Sequence, residues 1–150
     1  MSRFTGEYEV RLDDKNRLRL PAVLLRQLGE EVKLGLVINR GFDKCLVLYP
    51  QKQWEKISDE VNQLNLYVTA NREFARYFFR GATPLEPDAS SRILMPKTLM
   101  EYAGIQQDVI IYAYGDQIEI WAKEAYERMM DSAPKDFATL AEKILGHKDV

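Results

Sequence analysis

Polar and apolar residues alternate along the first stretch of the chain. Tyr8, Val10 and Leu12 are interleaved with Glu7, Glu9 and Arg11, the period-two pattern of a half-buried strand. Asp13-Asp14-Lys15-Asn16 interrupts it with turn chemistry, because Asp side chains close local backbone hydrogen bonds and Asn tolerates positive φ. Alternation resumes at Arg17-Leu18-Arg19-Leu20 and predicts a second strand. Pro21 pre-sets the first turn of a helix whose apolar stripe is Leu24, Leu25 and Leu28 and whose end falls at Gly29. Lys33–Asn39 and Cys45–Tyr49 then read as a hairpin around Arg40-Gly41-Phe42-Asp43.

The same pattern occurs again. Displaced by 75 positions, Phe4, Gly6, Asp13, Arg17, Pro21, Leu24 and Gly29 fall on Phe79, Gly81, Asp88, Arg92, Pro96, Leu99 and Gly104. Chance would give about one or two such identities at ordinary residue usage. Leu18/Ile93 and Leu20/Met95 match in character, and after the helix the offset becomes 72, so that Leu46-Val47-Leu48-Tyr49 meets Ile118-Glu119-Ile120-Trp121. The second copy therefore predicts a turn at Asp88–Ser91, a helix from Pro96 to Gly104, and strands Asp108–Tyr114 and Gln117–Trp121 around Gly115-Asp116.

Helices join and follow the copies. Pro50 opens one that carries Trp54, Ile57, Val61 and Leu64, and Thr69 is placed to cap another that carries Phe74, Tyr77 and Phe78. Lys123–Met130 is helical by period, and Phe137, Leu140, Ala141 and Ile144 predict a last helix stopped by Gly146. The organisation expected is a first repeat over 7–54, a helical connection over 55–80, a second repeat over 83–126 and a partly helical tail over 131–150. A unit of this size is marginal alone without a disulfide or a metal. The two copies are therefore expected to share one core about a pseudo-two-fold axis.

Composition narrows the chemistry. The chain has 150 residues, one cysteine (Cys45) and one histidine (His147). That excludes an internal disulfide and leaves Cys-His, Ser-His-Asp and Cys- or His-based metal chemistry almost without material. No G-x-x-x-x-G-K-S/T or G-x-G-x-x-G occurs. No enzyme activity, cofactor, metal or small-molecule substrate is expected. The longest apolar run, Val109–Tyr114, is six residues, far below the roughly 20 that span a bilayer, and the first residues carry no apolar signal segment. A cytoplasmic binding protein is the expectation. The net charge of −2 argues against a nucleic-acid partner on average, but residues 1–57 carry +3 and residues 58–150 carry −5. An anion-binding face belongs mainly in the first third.

The most specific signal is Asp-x-x-x-Arg followed by apolar-x-apolar-Pro. It stands at Asp13-Asp14-Lys15-Asn16-Arg17-Leu18-Arg19-Leu20-Pro21 and again at Asp88-Ala89-Ser90-Ser91-Arg92-Ile93-Leu94-Met95-Pro96. With Phe4-Thr5-Gly6-Glu7-Tyr8, Gly41-Phe42-Asp43-Lys44-Cys45-Leu46, Leu48-Tyr49-Pro50 and Ala75-Arg76-Tyr77-Phe78-Phe79-Arg80-Gly81-Ala82, the chain resembles the MraZ family over residues 4 to about 128, the last 20 lying outside. The resemblance implies an α+β fold of two tandem swapped-hairpin units of the SpoVT-AbrB type. It also implies a nucleoid-associated regulator that represses its own promoter and the division and cell-wall gene cluster. Such a regulator binds repeated boxes in double-stranded DNA and assembles into a ring-like homo-oligomer. The family's DNA-contacting loops map here to Asp13, Arg17, Asp88 and Arg92. Gly often precedes the Arg in such loops. Asn16 and Ser91 stand there instead, and serine adopts positive φ less readily than asparagine.

Arg17 and Arg92 offer planar donor forks for phosphate or guanine. The simpler role is a salt bridge to the Asp four residues earlier, and both roles are compatible: Asp orients, Arg contacts. Lys15 and Arg19 flank Arg17, whereas Arg92 has only Lys97 nearby in sequence, so the first loop is expected to carry more of the affinity. Asp13 and Asp88 read as turn formers, not as a catalytic carboxylate pair. Arg72, Arg76 and Arg80 read as an exposed helix face, Trp54, Trp121 and Tyr126 as core or interface, and Asn39-Arg40-Gly41 as a turn. An alternative function is an AbrB-like protein-interaction module, antitoxin or assembly adaptor, that acts through the tail.

Overall fold

Each copy sends its first strand to the other copy. In the computed structural model, which describes residues 4–132 and 134–146, β1 (Phe4–Arg11) lies antiparallel to β7 (Asp108–Gly115), in register from Phe4↔Gly115 to Arg11↔Asp108. Reciprocally, β5 (Thr83–Leu85) lies on β3 (Leu36–Arg40). The hairpin partners β4 (Leu46–Pro50) and β8 (Gln117–Ala122) meet in the middle, and the six-stranded order is β1-β7-β8-β4-β3-β5. Exchanging β4 with β8 also exchanges β3 with β7 and β5 with β1, which is the expected pseudo-two-fold. The remaining strands, β2 (Arg17–Arg19) and β6 (Arg92–Leu94), form a separate two-stranded ribbon on the same axis.

The core is common to both copies. One continuous cluster takes Leu18, Leu24 and Leu48 from the first copy and Ile93, Leu99, Ile111 and Ile120 from the second, all essentially without solvent contact. Burying such a side chain stabilises by about 1.5–3 kcal/mol, and both copies contribute side chains to the same cluster. The fold is α+β, built of two swapped-hairpin units with short helices after each and a helical tail, as expected from the resemblance.

Three helices follow prolines. α1 (Ala22–Leu28), α2 (Gln51–Asn62) and α4 (Lys97–Ala103) have Pro21, Pro50 and Pro96 at their N-caps with extended ψ, so proline stands one residue before the first helical turn. α3 (Thr69–Phe79) begins at Thr69, with Val68 as N-cap and no side-chain cap, which corrects the capping role expected of Thr69. The third strand starts at Leu36 and not at Lys33, because Gly29–Leu34 winds into a 3-10 turn and Gly35 reverses the chain at φ 96°. α5 (Lys123–Asp131) and α6 (Phe137–Leu145) complete the chain.

Asn39 and Arg40 are not a free turn. The buried Asn39 amide donates to the Phe78 carbonyl at 2.7 Å, and Arg40 Nε donates to the Arg80 carbonyl at 3.0 Å. The Arg40 guanidinium also donates to the Tyr77 carbonyl and stacks 3.9 Å from the Tyr77 ring centre. These donors satisfy the orphan carbonyls at the end of α3 and deliver the chain into β5 against β3. On the other side Trp54 stacks on Phe78 at 5.7 Å. The bridging helices thereby fix where the second copy starts.

Candidate nucleic-acid interface

The two Asp-x-x-x-Arg loops are the same object built twice. In the first, the Asn16 amide donates to the Asp13 carbonyl and the Asp13 amide to the Arg17 carbonyl, both at 3.0 Å. Asp13 Oδ1 accepts from the Lys15 and Arg17 amides at 3.0 and 2.8 Å, and Oδ2 accepts from Arg17 Nε at 2.8 Å. In the second, Ser91 and Asp88 make the matching backbone pair, Asp88 Oδ1 accepts from the Ser90 and Arg92 amides, and Oδ2 from Arg92 Nε, all at 2.9 Å. Closing so tight a turn places the residue before the arginine at positive φ, 60° for Asn16 and 61° for Ser91. Serine pays the larger steric cost there, yet the second loop takes the same form as the first.

The carboxylates are held in the ionised state. Accepting the Arg17 backbone N–H, and then its guanidinium and the Lys15 N–H, keeps the Asp13 carboxyl below its ordinary 3.8. The Arg92 backbone N–H does the same for Asp88, helped by the Ser90 N–H and the Arg92 guanidinium. A carboxylate that accepts two backbone donors is a structural brace. It holds each guanidinium through its Nε. Arg17 and Arg92 remain between a quarter and a third exposed.

Pairing of β2 with β6 puts the loops side by side. The register is Arg17↔Leu94, Leu18↔Ile93 and Arg19↔Arg92. The Leu20 amide donates to the Ser91 carbonyl and the Met95 amide to the Asn16 carbonyl, each at 2.9 Å, so each positive-φ residue anchors the other copy's strand. Arg92 Nη1 also lies 3.8 Å from Asp13 Oδ2. Arg92 is therefore not a lone cation with Lys97 as its companion: its ladder neighbour is Arg19. Like charges directly opposite on a ladder repel, and an anion over the ribbon relieves that repulsion. Among the described residues neither Lys15 nor Arg19 has an ion-pair partner, and both side chains are exposed. The structure thus brings Asp13, Lys15, Arg17, Arg19, Asp88 and Arg92 together on one exposed ribbon whose reverse face, Leu18 and Ile93, is sealed in the core.

The other sequence candidates lie elsewhere. Trp121 and Tyr126 are buried against Cys45 and Ile110, and Trp54 packs on Tyr49. Arg72 donates to the Leu66 carbonyl, and Arg80 follows the end of α3. Burial, with Glu119 and Asp43 nearby, pushes the Cys45 thiol up to about 12, the reverse of what a thiolate nucleophile needs. A cavity of about 480 Å³ beside it is lined by Tyr49, Lys56 and Glu119, among others, and by no residue of either Asp-x-x-x-Arg loop. No described helix is long and apolar enough to cross a membrane. His147 lies outside the described residues.

The sequence profile described as "MraZ protein, putative antitoxin-like" matches twice, over residues 3–77 and 78–147. The second match runs past residue 128, so the tail up to residue 147 lies within the family span and not outside it. The chain is 38% identical to the transcriptional regulator MraZ of Flavobacterium psychrophilum, over 98% of this chain and 94% of that one. It is 37% identical to the one of Christiangramia forsetii, over 99% and 97%, and 38% identical to the one of Cytophaga hutchinsonii, over 97% and 96%. A profile that recognises each half separately, and relatives collinear with nearly the whole chain, leave one assignment: this chain belongs to the MraZ family.

Proposed function

We propose that this protein is a transcriptional regulator that binds double-stranded DNA through the β2–β6 ribbon, with Arg17, Arg19, Arg92 and Lys15 as contacting side chains and Asp13 and Asp88 as braces. The observation that carries this reading is the convergence of both loops on one exposed ribbon, with the guanidiniums on its outer face. A two-stranded ribbon fits the major groove, and arginine is the commonest reader of guanine there. The relatives' names support the regulatory role.

Affinity requires more than one chain. Four cations in a chain of net charge −2 neutralise few phosphates, and each phosphate adds only one salt-dependent increment. Linking several ribbons in a ring makes later contacts intramolecular and raises avidity by about 10²–10⁴. A promoter with repeated boxes is the matching target, and the protein represses its own gene cluster from it, on the nucleoid in the cytoplasm. The test is a mobility shift on DNA upstream of the protein's own gene across a salt series. Binding that weakens steeply with salt and falls with Arg17→Ala is expected. Tight binding unchanged by that substitution overturns the reading.

A second reading has its own observation. α6 is capped by Asp136 on Thr139 yet leaves Phe137, Ile144 and Leu145 exposed, a face suited to a protein partner, in keeping with the "antitoxin-like" description. A stoichiometric protein partner that co-purifies, without DNA binding, would favour it.

A further inference from the structure

The outer face of the β2–β6 ribbon is not symmetric. Arg17 and Arg19 come from β2, and Arg92 and Leu94 come from β6. The repeat aligns Arg17 with Arg92 and Arg19 with Leu94. The pseudo-two-fold axis therefore relates three arginines and one leucine in a square where four arginines would complete the pattern. Leu94 is 59% exposed and belongs to none of the core clusters. It stands directly across the ladder from Arg17, where paired residues lie about 5 Å apart. Leu94 is thus an exposed aliphatic side chain at one corner of a cationic face.

We propose that Leu94 reads thymine, its methyl groups packing against the C5-methyl of a thymine while Arg17 opposite addresses the same or the adjacent base pair. This rests on the reading that the ribbon binds DNA. In the major groove the thymine methyl is the one apolar group that the four bases present, so it is the feature an exposed aliphatic side chain recognises. A leucine resting on sugar or phosphate, or covered by a second copy, is indifferent to that methyl. The consequence for recognition is direction. Two-fold symmetric readers prefer palindromes, whereas a ribbon with arginine at one corner and leucine at the related corner reads two unlike base pairs and binds in one orientation. That property suits boxes repeated head to tail.

The test replaces single thymines by deoxyuridine, which lacks only the methyl, along the DNA upstream of the protein's own gene. The full-length protein and Leu94→Ala are titrated on each duplex. The wild type should lose about fourfold in affinity at one or two thymines per box, the size of one methyl group. Leu94→Ala should bind thymine DNA more weakly and lose nothing further on deoxyuridine at those positions, with its thermal unfolding unchanged because the side chain is exposed. The proposal is overturned if Leu94→Ala keeps the wild-type sensitivity to deoxyuridine, or if the wild type binds both DNAs equally well. Absence of any salt-sensitive binding to this DNA would instead remove the DNA reading, and this proposal with it.

Discussion

The loop closed by Asp13 and Arg17 and the loop closed by Asp88 and Arg92 agree in every brace, their matching hydrogen bonds differing by no more than 0.1 Å. What differs is everything the braces do not touch. The first loop carries Lys15 and, beyond its arginine, Arg19; the second carries Ala89, Ser90 and, beyond its arginine, Leu94. The contrast separates two kinds of constraint. Side chains that satisfy the turn's own donors are the same in both copies, and side chains that face outward have diverged. A duplicated frame thus presents two unlike surfaces on one ribbon.

The largest expected effect lies beneath the ribbon, where the copies should behave alike. Leu18→Ala and Ile93→Ala each remove a fully buried side chain from the shared core and should each cost about 2–5 kcal/mol of stability in denaturant melts. Both variants should unfold in a single transition. A variant that melts one copy and spares the other would show that the core is divided. Next come the outward arginines, where the copies should differ. Arg17→Ala should cost about 1–3 kcal/mol in DNA affinity, and more than Arg92→Ala, because Arg92 lies near two carboxylates, Asp88 and Asp13, and Arg17 is paired with Asp13 alone. A larger loss at Arg92 in the same mobility shifts would reverse the ranking.

Acid should act on both loops alike. Asp13 and Asp88 titrate below 3.8 when folded. Their stabilisation is therefore complete above that pH and is lost as the pH falls through the lower, folded value. Carboxyl titration by NMR should place both midpoints under 3.8, and a midpoint at or above it for either residue would mean its brace is open in solution. The smallest effect concerns the positive-φ residues. Ser91→Gly should stabilise by about 0.5–1 kcal/mol and Asn16→Gly by less, since asparagine already tolerates that conformation. Equal gains in thermal melts would remove the distinction.

The repeat, the loops and most helices were legible in the sequence because they are local: alternation, prolines, and Asp four residues before Arg are all read within a few positions. Partners were not. Nothing along the chain says that β1 pairs with β7, or that Arg92 sits opposite Arg19 and near Asp13, because those contacts arise from the crossing of the two copies. The same limit explains Asn39 and Arg40, which look like a turn when read along the chain but terminate a helix whose end lies 37 to 40 residues later. The early start read for the third strand failed for a local reason: Val32 and Leu34 keep an alternating pattern inside a 3-10 turn.

The exchange of first strands also sets a timetable for synthesis. Phe4 pairs with Gly115, so β1 waits for a strand made about 100 residues later before its edge is satisfied. Until then the nascent chain offers unpaired backbone and the apolar faces of the first copy to whatever is nearby, including another nascent copy of itself. Chaperone capture during translation, and strand exchange between neighbouring chains at high expression, are the vulnerabilities this architecture brings with it.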